Sequence, residues 1–278
     1  MEKKRVGIVG FGNIGKYLYN YIINESTELS VEFVWNRTAS VLTEASVPKE
    51  LIINSLDDFV HKQPDIIVEV AHPDITLKYG ELFLSKADTL LGSPTALANP
   101  KLEAKLKACA NEKHGLYVPS GAFWGGEDIR KMADLNSLTG LTVVMTKHPS
   151  CLKLKGYLDE LNKKVLNEAV VLYDGPIREL CSLAPNNVNT MAAAAVAAHN
   201  LGFDQVRGRL ISDPRSLDWH EIRVSVTGPS QKDGRTFTVE TVRSNPANPG
   251  VVTGSATYSS FLSSLKKAGG QGPGFHLC

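Results

Sequence analysis

The stretch Arg5-Val-Gly-Ile-Val-Gly-Phe-Gly-Asn-Ile-Gly-Lys16 constrains the fold of this chain more than any other. An apolar run, Val6 to Val9, leads into Gly10-x-Gly12-x-x-Gly15 and then into a helix-forming stretch, Lys16 to Ile23. Strand, glycine turn and helix in that order are what a dinucleotide pyrophosphate needs. Gly10 turns the chain off the strand, Gly12 keeps a side chain away from the phosphates, and Gly15 lets helix and strand pack closely. The helix start, with Asn13 and Ile14, presents unpaired N–H groups and a partial positive charge to the anion. A glycine triplet alone is a weak signal, because ordinary loops contain it too. Here the strand before it and the helix after it favour a dinucleotide site over a simple turn.

The remainder of the first half alternates strand-like and helix-like segments. Val31 to Trp35 falls where a second strand belongs, and Leu51 to Ile53 reads as a short third. Ser55-x-x-Asp58 is a helix start with Ser55 as N-cap. Asp65-Ile-Ile-Val-Glu-Val-Ala71 suits the middle of a parallel sheet, buried on both faces. A helix (about Ile75 to Ser85) and a strand, Thr89 to Leu91, come next. Asn99 and Pro100 then open a helix that Gly115 closes, and Leu116 to Val118 is a further strand.

At the end of the second strand an NAD-specific protein carries an acid that accepts from the adenosine 2′-hydroxyl. This chain has Asn36-Arg37. Asn36 can bond a hydroxyl and Arg37 can pair with a 2′-phosphate, so NADP is expected to be accepted beside NAD. The plainer alternative makes Arg37 a solvated loop charge.

From Ser120 the texture changes. A glycine-rich crossing precedes a helix from about Asp128 to Asn136. Five alternating strands follow, Leu141 to Thr146, Ala169 to Tyr173, Val206 to Ile211, Trp219 to Val226 and Thr236 to Val242, the last two forming a hairpin. An alanine-rich helix, Asn189 to Leu201, lies between the second and third of these strands. The fold class is therefore α/β: an N-terminal doubly wound parallel sheet of the Rossmann type, plus a C-terminal α+β domain with a mainly antiparallel sheet. The dinucleotide-binding domain is placed at 1–118 and the substrate domain at 119–249. A last helix, about Ser255 to Lys267, packs back onto the first domain, and 268–278 is a flexible glycine-rich tail.

Composition excludes several function classes. With 278 residues, 42% hydrophobic and 21% charged, the chain is globular and long enough for two cores. A net charge of +1 provides no field to recruit nucleic acid or an anionic membrane. No apolar run has transmembrane length, and Met1-Glu-Lys-Lys leads straight into the first strand, so a cytoplasmic location is expected. Cys109, Cys151, Cys181 and Cys278 lack metal-ligand spacing and are read as reduced.

The seven histidines are the first candidates for acid–base work. His61, His114, His199 and His276 are read as structural. His72 stands at the carboxyl edge of the sheet, where it can touch a dinucleotide. His148 follows Lys147 at a strand end. His220, in Trp219-His-Glu-Ile-Arg-Val-Ser-Val226, shares a strand face with Ile222, Val224 and Val226. Periodicity alone leaves open whether it is a satisfied core histidine or one aimed into a cleft.

Pro119-Ser-Gly-Ala122, Thr146-Lys-His-Pro149, Pro185-Asn-Asn-Val-Asn189, Ser212-Asp-Pro214, His220-Glu-Ile222 and Asn245-Pro-Ala-Asn-Pro249, in this order behind the glycine turn, resemble the L-aspartate dehydrogenase family from about Arg5 to Lys267. The resemblance implies oxidation of L-aspartate with NAD or NADP to iminoaspartate, then oxaloacetate and ammonia. It implies His220 as the catalytic residue, with Ala122 and Asn189 contacting the cofactor. Asn189 is also a possible simple helix N-cap. Lys147 and Arg215 are the available cations for a dicarboxylate, and Lys147 is the choice.

The chain departs from the microbial pattern at Ala184, at Asn248 to Ser255, in the tail after Lys267, and at Phe123-Trp124, whose bulk is expected to reshape the substrate pocket. Two other readings stand beside the leading one: an NADP(H)-binding sensor or scaffold without turnover, and a reductase of another small dicarboxylate. A homodimer is expected, because exposed antiparallel sheets in such substrate domains pair.

Overall fold

The computed structural model describes residues 2–254 and 256–278. Strands β1 (Lys4–Val9), β2 (Leu29–Trp35), β3 (Ile66–Glu69), β4 (Asp88–Leu91) and β5 (Gly115–Val118) form a parallel sheet. With β11 (Gly274–Leu277) from the far end of the chain added, its order is β11-β5-β4-β3-β1-β2. The connections leave β1 toward β2 on one side and β3 on the other, so a crevice opens at the carboxyl ends of β1 and β3. All four residues of β3 are buried, as its near-continuous apolar run predicts.

Two start signals in this half are realised. The Ser55 hydroxyl and Asp58 carboxylate form a capping box at Leu56–His61, a 3-10 rather than an α-helix. Asn99 Oδ1 accepts from the N–H groups of Lys101 and Leu102, with Pro100 in the first turn. Two other readings differ. Leu51 to Ile53 is not a strand: Lys49–Leu51 is a turn of 3-10 helix, and Ile52 alone bridges Val34. Pro48 followed by one helical turn leaves too few residues to extend a ladder. Gly115 opens β5, while the preceding helix ends at Ala110.

The second sheet runs β10-β9-β6-β8-β7. Its strands are β6 (Gly140–Lys147), β7 (Val170–Pro176), β8 (Arg207–Ser212), β9 (Trp219–Ser230) and β10 (Thr236–Pro246). Only β6 and β8 pair in parallel. Strict alternation places Leu141, Val143, Met145 and Lys147 of β6 on the same inner face as His220, Ile222, Val224 and Val226 of β9. The helix Asn189–Ala197 covers that face, with every residue from Met191 to Ala197 buried. Its alanines allow the close approach that the sequence implied.

The stretch 268–278, read from the sequence as a flexible tail, instead supplies β11 (Gly274–Leu277), the sixth strand of the first sheet. Cys278 N donates to Val118 O, Ser120 N donates to Cys278 O, and Tyr117 OH donates to Gly272 O. Glycine content disfavours order only when no partner edge is available, and here the edge of β5 is one. The helix Ala256–Lys267 adds Phe261 and Leu265 to the cluster containing Val6, Ile8 and Leu18. Each such side chain contributes about 1.5–3 kcal/mol of burial. Ser255, where the sequence places the start of this helix, lies outside the described residues. No helix among the described residues is long and apolar enough to cross a membrane.

Candidate active site

The glycine turn lies at the mouth of the crevice. Gly10 has φ +107°, and a Cβ on it would lie 2.8 Å from the backbone of Ala71. A Cβ on Gly15 would lie 2.1 Å from Gly10 O. These two glycines are therefore demanded by backbone packing. Gly12 is not: a Cβ there meets nothing within 4 Å and projects into the cleft that Gly12 lines. What requires its absence is an occupant. Asn13 and Ile14 open the helix Asn13–Asn24, whose first-turn N–H groups have no helical partner. The Asn13 side chain borders a neighbouring shallow cavity with Trp219 and Tyr258, and Ile14 packs against the core.

The cleft continues along Trp35, Asn36, Arg37 and Thr38 on one side and along Val70 to His72 on the other. The Asn36 carboxamide is held by backbone groups on two sides. Its Oδ1 accepts from Phe11 N at 3.0 Å and its Nδ2 donates to Thr38 O at 2.9 Å, stapling the glycine turn to the end of β2. Arg37 is exposed and lines the cleft. His72 Nδ1 accepts from Asp74 N at 3.2 Å, capping the helix Pro73–Lys86 while bordering the same cleft.

Sequence reasoning missed Glu69. It is fully buried at the carboxyl end of β3 and accepts from Ala71 N at 2.8 Å, His72 N at 3.0 Å, and both the N–H and the hydroxyl of Ser93. Burial pushes its carboxyl up to about 7 against the opposing pull of these hydrogen bonds. The available signal was one acid inside the otherwise apolar run Ile66 to Ala71.

A second, smaller cavity adjoins the first, with Asn186 lining both. Lys147, from the end of β6, and His220, from the start of β9, face into it beside Ala122, Thr190 and the segment Val252 to Gly254. Lys147 is only 4% exposed, and its Nζ donates to Val252 O at 3.0 Å. Among the described residues no carboxylate is paired with it, and burial pushes its ammonium down to about 8. His220 is 3% exposed, and its Nε2 is buried without a hydrogen-bond partner. Burial first, and then the Lys147 cation, pushes its imidazole down to about 4, so it is neutral at pH 7.

Asn189 is the first residue of its helix, after Val188 at the cap position, and makes no side-chain cap. This removes the simple N-cap alternative. Its Oδ1 is buried without a hydrogen-bond partner, and Asn189 is not among the residues lining either cavity, although its neighbour Thr190 is. Asn187 holds the loop before it, accepting from Lys153 N at 2.8 Å and donating to Cys151 O at 3.0 Å. Arg215 is ion-paired to Asp213 at 2.9 Å and borders neither cavity. Phe123 and Trp124 do not shape the substrate pocket: Phe123 is buried in the core, and Trp124 is 64% exposed on a groove beside β11. The departure that does reach the cavity is Val252 to Gly254.

The open cradle above Gly12, in the cleft at the carboxyl ends of β1 and β3, fits a dinucleotide. The family model for the NAD binding domain of homoserine dehydrogenase matches residues 10–119, and that for the C-terminal part of aspartate dehydrogenase matches residues 128–266. A Xenopus tropicalis protein named aspartate dehydrogenase domain-containing protein is 51% identical over 281 residues, spanning 100% of this chain and 99% of its own length. The chain belongs to the aspartate dehydrogenase family. The L-aspartate dehydrogenase of Nitrosopumilus maritimus is 27% identical over 277 residues, covering 95% of this chain and 96% of its own. The crystal structure of aspartate dehydrogenase from Thermotoga maritima shares the fold with a TM-score of 0.68 and 19% identity, over 96% of this chain and 97% of that one. As a member of the aspartate dehydrogenase family the chain is an oxidoreductase of the dehydrogenase type, with NAD or NADP as cofactor.

Proposed function

We propose that the chain catalyses NAD(P)-dependent oxidative deamination of L-aspartate, giving iminoaspartate and, by hydrolysis, oxaloacetate and ammonia. One observation carries this reading. A buried neutral imidazole with a free Nε2 and a buried lysine without a carboxylate partner share a cavity that adjoins the dinucleotide cleft.

The dinucleotide supplies the hydride acceptor for the substrate Cα–H. The protein supplies the remainder. Lys147 binds a substrate carboxylate, and Asn187 keeps the loop that carries Asn186 and Asn189 in place. Asn189, next to the cavity-lining Thr190, would accept from the nicotinamide carboxamide, and the small Ala122 in the cavity wall would leave room beside it. His220 Nε2 takes the proton that leaves the amine as the C=N bond forms, and later serves the water that hydrolyses the imine. A carboxylate on Lys147 offsets the cation that depresses His220, so the imidazole becomes a better base once substrate is in place.

The uncovered face of the second sheet, with Val242 half-exposed on edge strand β10, supports pairing of two copies into a homodimer. The function is tested by following reduced-nicotinamide absorbance with L-aspartate and NAD or NADP, beside His220→Ala. Aspartate-dependent reduction that collapses in the variant is expected. Dinucleotide binding without reduction would favour the sensor reading instead.

A further inference from the structure

We infer that the second carboxylate of the dicarboxylate substrate is read by the hydroxyls of Thr190 and Thr257, each on the first turn of a helix that begins at the catalytic cavity. This inference rests on the proposed aspartate reaction and deepens it by naming the groups that tell a dicarboxylate from a monocarboxylate.

No aspartate or glutamate lines this cavity, and its neutral polar groups are asparagines and threonines. Lys147 is the lysine or arginine in its wall and can pair with one carboxylate. A dicarboxylate brings a second, which must find neutral donors or lose its hydration without replacement. Asn187 and Asn245 hold the wall itself: Asn187 bonds Lys153 N and Cys151 O, and Asn245 Nδ2 donates to His220 O at 3.5 Å. The hydroxyls of Thr190 and Thr257 line the cavity and have no hydrogen-bond partner among the described residues. A carboxylate has two oxygens, one for each hydroxyl. Thr253 is on the wall too, but it lies on the segment between β10 and the last helix and also borders the shallow cavity beside Asn13.

Each of the two threonines is the second residue of its helix, Asn189–Ala197 and Ala256–Lys267. At the first helix the ladder starts with Ala192 N donating to Val188 O at 3.0 Å. The N–H groups of Asn189, Thr190 and Met191 before it are unpaired among the described residues, so the positive end of this helix lies at the wall that Thr190 forms. At the second helix Thr257 N already donates to Gly254 O at 3.1 Å, and the hydroxyl is what that residue offers. His220, only 3% exposed, faces the same cavity with its Nε2 unpartnered, which marks the space as a ligand site rather than a packing gap.

The two helices belong to different layers. Asn189–Ala197 covers the inner face of the second sheet, while Ala256–Lys267 packs with Val6 and Ile8 of the first. A dicarboxylate held at one end by Lys147 of β6 and at the other by these hydroxyls bridges both sheets. A monocarboxylate on Lys147 engages the second sheet alone.

Calorimetric titration of the intact protein with NAD or NADP bound compares succinate with butyrate, four-carbon acids that differ in the second carboxylate and have no amine to lose. Succinate is expected to bind about ten- to a hundredfold tighter, the range for hydrogen bonds to a charged group. Thr190→Val combined with Thr257→Val should erase that difference and leave butyrate affinity unchanged. For aspartate the loss should fall on KM, rising about ten- to a hundredfold, more than on kcat, because neither hydroxyl touches the reacting atoms. Thr190→Ser with Thr257→Ser keeps both hydroxyls and should keep the succinate preference. Equal affinity of the wild type for the two acids, a valine variant that weakens both alike, or a serine variant that loses the preference overturns the subsite and leaves the dehydrogenase reading intact. Failure of both succinate and aspartate to bind the cofactor-loaded protein overturns the two together.

Discussion

The Glu69 carboxylate accepts from Ser93 twice, from its N–H at 3.0 Å and from its hydroxyl at 3.1 Å, and so ties the carboxyl end of β3 to that of β4. The same carboxylate holds Ala71 N and His72 N, which border the dinucleotide cleft. One buried acid thus organises two loops at the floor of the site. It is a positioning residue.

Because its carboxyl is pushed up to about 7 from the ordinary 4.5, the folded state holds a proton there that the unfolded chain has released. The contribution of Glu69 to stability is therefore full below about pH 4.5 and is lost as pH rises through about 7. Relative to Glu69→Gln, the wild type should lose roughly 3 kcal/mol across that window. Urea unfolding of both proteins at several pH values checks this, and a pH-independent difference would contradict it. Glu69→Ala, which strands the donors of Ala71, His72, Thr76 and Ser93, should destabilise by about 3–5 kcal/mol.

Lys147 carries its charge below about pH 8 and loses it above. If it anchors a substrate carboxylate, kcat/KM for aspartate should fall on the alkaline side from about pH 8, reporting the free enzyme. Lys147→Arg should push that limb to higher pH, and Lys147→Ala should raise KM about ten- to a hundredfold. A profile that ignores the arginine variant would remove Lys147 from substrate binding.

His220→Ala should lower kcat by about 10²–10⁴ while leaving the dissociation constant for reduced dinucleotide within about twofold. Burial depresses the imidazole to about 4, so the free enzyme should show no acid limb near the ordinary histidine range. Steady-state rates from pH 5 to 7.5, together with fluorescence titration of the cofactor, test both statements.

Gly12 and Gly15 should separate cleanly. A Cβ at Gly12 enters open space, so Gly12→Ala should change stability by less than about 0.5 kcal/mol yet weaken dinucleotide binding about tenfold or more. A Cβ at Gly15 would meet Gly10 O at 2.1 Å, so Gly15→Ala should lower the melting temperature itself. Thermal melts of both variants with and without NADPH distinguish the two glycines.

Much of this site is legible in the chain because its signals are local. A glycine turn between a strand and a helix, a strand with period two that puts His220 on the face of Ile222 and Val224, and a proline after a capping asparagine all act over a few residues, where backbone sterics and hydrogen bonding leave few alternatives. Periodicity could not say whether His220 was a satisfied core residue. Its unpartnered Nε2 beside Lys147 depends on strands that meet across more than seventy residues of sequence. Asn36 shows the same divide: its identity is local, but the use of its carboxamide was decided by where Phe11 N lay.

The sequence by itself determined the two-sheet architecture, the dinucleotide turn and the residue types available for chemistry, since these follow from short-range geometry. Tertiary structure alone decided that 268–278 becomes a sixth strand, that Phe123 and Trp124 stand apart from the pocket, and that Glu69 rather than a histidine organises its floor. Each of those outcomes depends on an edge, a burial or a donor set contributed by a distant part of the chain. Only the folded chain brings such groups within hydrogen-bonding distance.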